Sequence, residues 1–211
     1  MEIEAKFAVP DDTTFQRLLA RESIGMFRLD PPSAIEVRDR YFDTNDGDLY
    51  AAGYACRLRR EGDRYLAGIK GLGDASGAMH RREERETELT GPLPPSAWPA
   101  GPERTLVNSL SQEKPIVLLF EIIQERRRRQ AYAGDQPVAE LSFDRVQVRL
   151  RRSIADEYLE IEAELSSPGA QGQLDRLVAT LKEGWGLKPQ VQSKFERALL
   201  VRDRSATWTR R

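Results

Sequence analysis

Charged side chains take every second position in two short segments that lie far apart in the chain. Glu2, Glu4 and Lys6 alternate with apolar residues in MEIEAKF, and three glutamates alternate with apolar residues in YLEIEAEL at 158–165. Side chains two positions apart on a strand point to the same face and lie roughly 6.5–7 Å apart. Each segment therefore predicts a strand with one charged face and one apolar face.

Two further segments alternate in the same way but carry different charges. Arg57 and Arg59 form a pair in CRLRR, and Glu140 and Asp144 flank Ser142 in PVAELSFDRV. For any one strand, the charged face could simply be the solvated side of a sheet. Solvated faces usually mix their signs, however, because like charges on neighbouring positions repel. The separation by sign indicates a binding site.

The chemistry of such a site follows from its charges. Unit charges about 4 Å apart interact by about 1 kcal/mol in water and about 4 kcal/mol at an effective dielectric near 20, so clustered carboxylates need a cation. Mg²⁺ or Mn²⁺ takes oxygen ligands and needs only one or two carboxylates besides waters and substrate phosphates. Guanidinium groups bind phosphate oxygens through two parallel hydrogen bonds. The pattern therefore predicts a site for a metal-bound polyphosphate.

The elements that must position these residues are mostly strands. Period-two alternation predicts strands near 2–8, 35–43, 54–61, 64–71, 80–89, 118–132, 137–150 and 157–165. Helical spacing predicts helices after Pro10, before Pro115, and between Leu174 and Trp185. About eight antiparallel strands can close into a barrel that holds one small ligand. The predicted fold is α+β, an eight-stranded antiparallel β-barrel (tunnel) with polar faces inside and helices packed outside.

Composition bounds the class of protein. The 211 residues favour one domain over the whole chain, 1–211. With 33 basic and 34 acidic side chains the net charge is −1, so no nucleic-acid or membrane partner is expected. The single cysteine and the lack of an N-terminal signal pattern predict a cytoplasmic protein. The oligomeric state stays open, with a homodimer among the alternatives, and so does whether the chain is complete or an excised domain.

MEIEAKF resembles the ExExK signature of the CYTH superfamily, the triphosphate tunnel metalloenzymes. Further segments match that family in its order, up to about residue 200: RYFDT, CRLRR, YLAGIKG, HRREERETEL, YLEIEAEL and SKFERAL. The resemblance implies an antiparallel tunnel that binds a triphosphate together with Mg²⁺ or Mn²⁺. In most members the triphosphate is hydrolysed.

The resemblance also implies roles for individual residues. The metal-side carboxylates would be Glu2, Glu4, Glu160, Glu162 and, as an addition, Glu164. The phosphate contacts would be Lys6, Arg57, Arg59, Lys70, Arg82, Arg126, Arg128 and Lys194. Further tunnel residues would be Glu84, Glu140 and Asp144, and the catalytic group would comprise Glu4, Lys6 and Glu162.

Two of these assignments leave the strand face open. HRREERE is polar on both faces, so the orientation of Arg82 and Glu84 is ambiguous. In ERRRRQ only one pair of arginines can point inward; we favour Arg126 and Arg128 over the pair at 127 and 129. His80, the only histidine, is expected at an exposed or hairpin-end position, and Cys56 is expected to be a small buried hydrophobe.

Three functions fit the pattern. The first is a metal-dependent triphosphatase, most simply of inorganic tripolyphosphate. The second is a class IV-type adenylyl cyclase, which the YFDT segment disfavours because those cyclases are expected to carry an HFD-like motif. The third is a polyphosphate-binding module without catalysis. Which triphosphate, which metal and how many metals are used cannot be read from the spacing.

Overall fold

Antiparallel strands form one continuous curved sheet in the computed structural model, which describes residues 2–208. The predicted α+β class is confirmed. In chain order the elements are β1 (Glu2–Val9), α1 (Asp12–Leu19), β2 (Ser23–Ile24), β3 (Phe27–Leu29), β4 (Ser33–Thr44), α2 (Asp48–Ala51), β5 (Tyr54–Glu61), β6 (Arg64–Gly71), β7 (Asp74–Ser76), β8 (Met79–Arg82), β9 (Glu84–Leu89), α3 (Pro102–Ser111), β10 (Ile116–Ala133), β11 (Gln136–Leu150), β12 (Ser153–Leu165), α4 (Gln171–Ala179), β13 (Lys188–Pro189) and α5 (Lys194–Trp208).

The number of strands differs from the expected eight, since the described residues form thirteen. The eight predicted strands are all present, but the one near 80–89 is divided at Glu83 into β8 and β9. The other four strands, β2, β3, β7 and β13, are two or three residues long and attach to the edges of longer ones. Segments this short carry too few alternating positions to be recognised from sequence.

The break at Glu83 allows one segment of chain to pair with both edges of the sheet. The long strands follow the order β1, β12, β11, β10, β4, β5, β6 and β9. β9 pairs with β6, whereas β8, one residue earlier in the chain, pairs with the opposite edge strand β1. The carbonyl of Glu83 also accepts a hydrogen bond of 2.9 Å from the amide of Gly71 in β6. One segment of chain thus joins the two edges and encloses an interior.

Helices cover the apolar outer faces of the strands. Phe15 and Leu18 of α1 and Leu174 of α4 pack against Phe7 of β1 and Phe143 of β11 in one buried cluster. A second cluster, on β5 and β6, is covered by α3 and by the loop that carries the buried Trp98. These contacts leave the charged faces of the same strands directed inward, as the alternation predicts.

α5 fills one end of the interior with apolar side chains. Phe195, Ala198 and Leu199 pack with Phe120 and Ile122 of β10. The sequence alternation did not predict this helix, although its start carries a capping box. Ser193 Oγ accepts from the amide of Glu196 at 3.2 Å, and Glu196 Oε2 accepts from the amide of Ser193 at 2.8 Å. Lys194 is consequently fixed as the first helical residue.

Residues 1 and 209–211 of the predicted domain lie outside the described residues. Among residues 2–208, every helix is too short or too polar to cross a membrane.

Candidate functional site

A charged cavity of about 190 Å³ occupies the part of the interior that α5 leaves open. One water needs only about 10–15 Å³ on the same measure, so the cavity has room for a small ligand. Its basic lining residues are Lys6, Arg57, Arg59, Lys70, Arg82, Arg126 and Lys194. Its acidic lining residues are Glu2, Glu4, Asp39, Glu84, Glu86, Glu162 and Glu164.

The deep end of the cavity, beside α5, is a network of buried ion pairs. Lys194 Nζ lies 3.0 Å from Asp144, 2.6 Å from Glu160 and 2.7 Å from Glu162. Arg126 donates two hydrogen bonds of 2.7 Å to Asp144 and one of 2.9 Å to Glu162. Asp144 and Glu160 are almost fully buried and stand behind the lining residues. They hold the cations in place from behind.

The ionisation of these carboxyls follows from their partners. Burial alone would raise the pKa of Glu162, but Lys194, Lys6 and Arg126 hold the pKa of that carboxyl well below its usual value. The pKa of Asp144 is lowered by Arg126 and Lys194 in the same way. For Glu160, burial raises the pKa by more than its lysine partner, Lys194, lowers it, so the pKa of Glu160 is raised. The deep network therefore holds Glu162 and Asp144 ionised.

A second group of ion pairs lies on the wall of the cavity that β4, β5 and β9 form. Arg59 donates to both carboxylate oxygens of Asp39, at 2.7 and 2.9 Å, and Gln124 donates to the same carboxylate at 3.0 Å. Arg57 contacts Glu84 at 2.5 Å and Glu86 at 2.6 Å. Burial raises the pKa of Asp39, yet the two arginines bring it far below the ordinary value of 3.8.

Gly68 leaves room for the side chain of Arg57 to cross this wall. Gly68 lies opposite Arg57 on one side and opposite Glu86 on the other. A β-carbon at this position would stand 3.3 Å from Cγ and 3.4 Å from Nε of the arginine. The absent side chain leaves the space in which the guanidinium crosses β6 to its carboxylates.

The pairs of β1 and β8 lie on the opposite wall. Glu2 is 2.6 Å from Lys70 Nζ and 3.2 Å from Arg82 Nε. Glu4 contacts Arg82 and lies 3.0 Å from Lys6, which also contacts Glu162. The side chains of Glu2 and Glu4 share the inner face, as the alternation in MEIEAKF predicts.

Glu164 stands at the mouth and differs from the carboxylates below it. It lies opposite Glu4 in the pairing of β1 with β12 and forms no ion pair with the described part of the chain. Partial burial and the charge of Glu2 raise the pKa of this carboxyl. Lys70 lowers the same pKa but does not offset these two effects, so Glu164 is less compensated than the carboxylates deeper in the cavity.

Besides Asp144 and Glu160, two further predicted site residues do not line the cavity. Arg128 contacts Glu61 and lies 3.3 Å from Glu140, and none of these three side chains lines the cavity. Arg126 and Arg128 do share a strand face, and Arg129 on the other face donates to backbone carbonyls of residues 19–30. Arg128 is too far along β10 to reach the lining.

Asp39, Glu86, Gln124 and Ser193 are among the lining residues that were not predicted from the sequence. Asp39 immediately precedes RYFDT, and Glu86 lies two positions after Glu84 in HRREERETEL. Gln124 is uncharged and Ser193 is a helix cap, so neither carried a charge pattern. The signal for the first two was present in the spacing of the sequence.

The exposed position expected for His80 is wrong, but the alternative of a hairpin end is consistent with the structure. The residue lies beside the turn between β7 and β8, and its side chain is buried, with Nε2 2.9 Å from the carbonyl oxygen of Gln190. Burial lowers the pKa of His80. Cys56 is fully buried in the β5 and β6 cluster, as expected.

Comparison with protein families identifies the family of this chain. The family model described as the CYTH domain matches residues 1–197. This chain belongs to the CYTH family. The match includes every residue that lines the cavity.

Solved structures share the fold of this CYTH protein at low sequence identity. A candidate adenylate cyclase from Bacillus halodurans superposes with a TM-score of 0.65 at 21% identity, covering 93% of this chain and 96% of the other. A Hippeastrum protein described as a candidate adenylyl cyclase with a dominant triphosphatase activity gives 0.59 at 19% identity, covering 92% and 93%. A protein from Pyrococcus horikoshii OT3 gives 0.58 at 17% identity, covering 95% and 99%.

The donor chemistry of the CYTH cavity suits a hard divalent cation. Its acidic lining is entirely carboxylate, and Mg²⁺ and Mn²⁺ prefer oxygen ligands. Within residues 2–208, however, no three acidic, histidine or cysteine side chains converge on one point, because most carboxylates turn toward a lysine or arginine. Glu164 is the one acidic lining residue that forms no ion pair with the described residues.

Proposed function

We propose that this protein hydrolyses a triphosphate, inorganic tripolyphosphate in the first instance, with Mg²⁺ or Mn²⁺ bound in the cavity. One observation carries the proposal: seven basic side chains from five strands and one helix converge on a single enclosed space. Buried ion pairs rarely stabilise a fold better than apolar packing of the same volume. Binding of a polyanionic ligand would explain why so many basic side chains are clustered here.

The phosphate groups would be held by the lysines and arginines that line the cavity. Arg57, Arg59 and Arg126 supply planar guanidinium groups, which suit paired phosphate oxygens, and Lys6, Lys70 and Lys194 supply point charges. Arg82 lies between Glu2 and Glu4 and would contact the phosphate nearest the mouth. Arg128 would act at most on a chain that extends beyond the cavity, since it does not line it.

The metal would be held chiefly at the mouth. Glu2, Glu4 and Glu164 supply its carboxylates, because Glu164 forms no ion pair with the described residues. Glu160 and Glu162 are already bound to Lys194, so they contribute mainly by placing that cation. A metal bound there would polarise a phosphate and orient water.

Substrate and metal would bind cooperatively, for a reason of charge. Phosphate oxygens that took over the contacts of Arg82 and Lys6 would leave Glu2 and Glu4 without partners. A divalent cation would compensate these carboxylates. Lys6, held between Glu4 and Glu162, would then donate to the phosphate and stabilise the charge that develops on its oxygens.

The test is phosphate release from tripolyphosphate, ATP and thiamine triphosphate, each with Mg²⁺, with Mn²⁺ and with a chelator. We expect metal-dependent orthophosphate release from at least one substrate. Arg126→Met should lower kcat/KM by about 10²–10³-fold, the usual loss for one transition-state donor. Arg127→Met is the matched control, since Arg127 neighbours Arg126 in β10 but is exposed on the opposite face.

Two other outcomes would replace this proposal. Formation of cyclic AMP from ATP, detected by chromatography, would identify an adenylyl cyclase. Tight binding of long-chain polyphosphate by folded protein that turns over no triphosphate with either metal would identify a binding module. Equal losses in the Arg126 and Arg127 variants would remove the link between activity and the cavity.

A further inference from the structure

A second cluster of arginines lies on the outside of the wall formed by β4 and β5. Arg38 and Arg40 alternate with Asp39, and Arg60 follows Arg59, so these three side chains point away from the charged cavity. Arg38 lies directly opposite Arg60 in the pairing of the two strands. Like charges in this position repel, and each pair of facing side chains stands only about 5 Å apart at Cβ.

The three arginines are poorly compensated by carboxylates. Arg40 Nε donates to Glu121 at 2.7 Å, whereas Arg60 Nε donates only to the carbonyl of Gly62 at 3.0 Å. Arg38 forms no ion pair with any residue from 2 to 208, and its Nε is buried without a hydrogen-bond partner. Glu36, two positions away on the same face, does not reach it.

This arrangement contrasts with the interior of the same strands. Arg57 and Arg59 each contact a carboxylate, and Arg59 binds both oxygens of Asp39. Buried polar hydrogens are nearly always paired in folded proteins, but Nε of Arg38 has no acceptor among the described residues, and neither does Nε of Arg57 on the inner face. What distinguishes Arg38 is that it faces another guanidinium group without a carboxylate partner among those residues, so an anionic acceptor would reduce the repulsion there.

The cluster surrounds a separate cavity of about 140 Å³. Arg38, Arg40 and Arg60 line it together with Leu58, Tyr65 and Pro92. Its volume exceeds the space of one water severalfold, and the apolar walls exclude water from one side of the guanidinium groups. Charge-assisted hydrogen bonds strengthen in such surroundings.

We propose that this outer cavity is a binding site for a phosphate group, distinct from the charged interior. The fork of donors on a guanidinium fits phosphate oxygens, and three such forks match a dianionic, tetrahedral group. Free orthophosphate and a phosphate group of a long polyphosphate chain share this chemistry, and the experiment below distinguishes the two sources. The site does not depend on the proposed triphosphatase activity.

The test observes the arginine Nε–H signals of wild-type protein by NMR while orthophosphate or long-chain polyphosphate is added. Arg38→Lys and Arg60→Lys variants assign two of the signals. We expect saturable shifts of both signals, and the salt that produces them identifies the source. Unchanged Arg38 and Arg60 signals with both salts, at concentrations that saturate the interior, would overturn the proposal.

A variant supplies an independent measurement. Arg38→Gln should weaken phosphate binding at the outer site about tenfold or more, the loss expected for a charge-assisted hydrogen bond. Turnover of tripolyphosphate should stay at the wild-type rate. Arg64→Gln, which removes an exposed charge from neighbouring β6, should leave the Arg60 titration unchanged. If both variants weaken binding equally, the effect is general electrostatics and the site is refuted.

Discussion

Two glutamates on the same face of β12 occupy opposite electrostatic situations. Glu162 is buried and contacts Lys6, Arg126 and Lys194, which keep its pKa well below the ordinary value. Glu164, one step closer to the mouth, has no such partner in the described chain, and its pKa is raised. Within one motif, the deeper glutamate therefore binds lysine and arginine side chains, whereas the glutamate nearer the mouth has no cationic partner in the described part of the chain.

A single alternating pattern thus places carboxylates in two different environments. The deep carboxylates hold lysines and arginines that we propose to bind phosphate, so their negative charge is compensated within the protein. Glu164 has no such partner among the described residues, and we propose that its charge is compensated by a bound cation. Four experiments test this division.

Acidification should have the largest effect. Among the carboxyls of the interior, lowered pKa values belong to Asp39, Glu84, Glu86, Asp144 and Glu162. A lowered pKa contributes stability that is present above the unfolded-state value and is lost as the pH falls through the folded-state value. We expect stability to decline below about pH 4 and the folding free energy, ordinarily about 5–15 kcal/mol, to be lost altogether.

Urea unfolding across the pH range measures this decline. Carboxyl-carbon NMR of the glutamates adds the residue detail, because Glu162 should titrate below and Glu164 above the ordinary value of 4.5. Titration of the two glutamates at the same pH would contradict the division by depth.

Replacement of Lys194 should have the next largest effect. Lys194→Met removes the cation shared by Asp144, Glu160 and Glu162, and leaves like charges facing each other in a buried space. Loss of one partner from a buried ion pair costs about 3–5 kcal/mol, so we expect a destabilisation at the upper end of that range. Denaturant unfolding at neutral pH measures it. Lys188→Met, an exposed lysine of β13, is the control and should change little.

Glu162→Gln should destabilise the protein less. The amide keeps the shape of the side chain, and Lys194 and Arg126 retain Asp144 as a partner. We expect a loss of about 2–3 kcal/mol, as for a buried charged hydrogen bond that is left partly unmade. Unfolding at pH 7 gives the value. A neutral or stabilising result would mean that the three cations repel one another less than the network suggests.

Much of the charged face could be predicted from the sequence because alternation is a local property. The period of two in MEIEAKF and YLEIEAEL places Glu2, Glu4 and Lys6 on one inner face and Glu160, Glu162 and Glu164 on another, as the structure has them. It does not fix how far along the strand the cavity extends. Arg126 and Arg128 share a face, yet only Arg126 lines the cavity.

The rest depended on contacts between distant segments. The depth of the cavity is set by α5, whose Phe195 and Leu199 fill one end of the interior. That helix packs against β10 and β12, which are distant from it in the chain, so no local spacing indicates its position. Asp39 was missed for a related reason, since its face on β4 also carries the apolar Val37 and the aromatic Tyr41.

Glu164→Gln should have the smallest effect on stability and the opposite sign. A raised pKa means that ionised Glu164 disfavours the folded state above its folded-state pKa, and that this penalty disappears below the unfolded-state value. We expect a gain below about 1 kcal/mol at pH 7, because solvent screens a carboxylate at the mouth. The gain should vanish as the pH falls below the ordinary value of 4.5.

The same variant should bind Mn²⁺ more weakly, as measured by electron paramagnetic resonance of the free ion. Glu157→Gln is the control, since Glu157 lies on the outer face of β12 beside Gln147. Higher stability together with weaker metal binding is the signature of a carboxylate whose charge is reserved for a cation. If Glu164→Gln instead lost stability, as Glu162→Gln should, the two glutamates would be equivalent and the metal would have to be placed elsewhere.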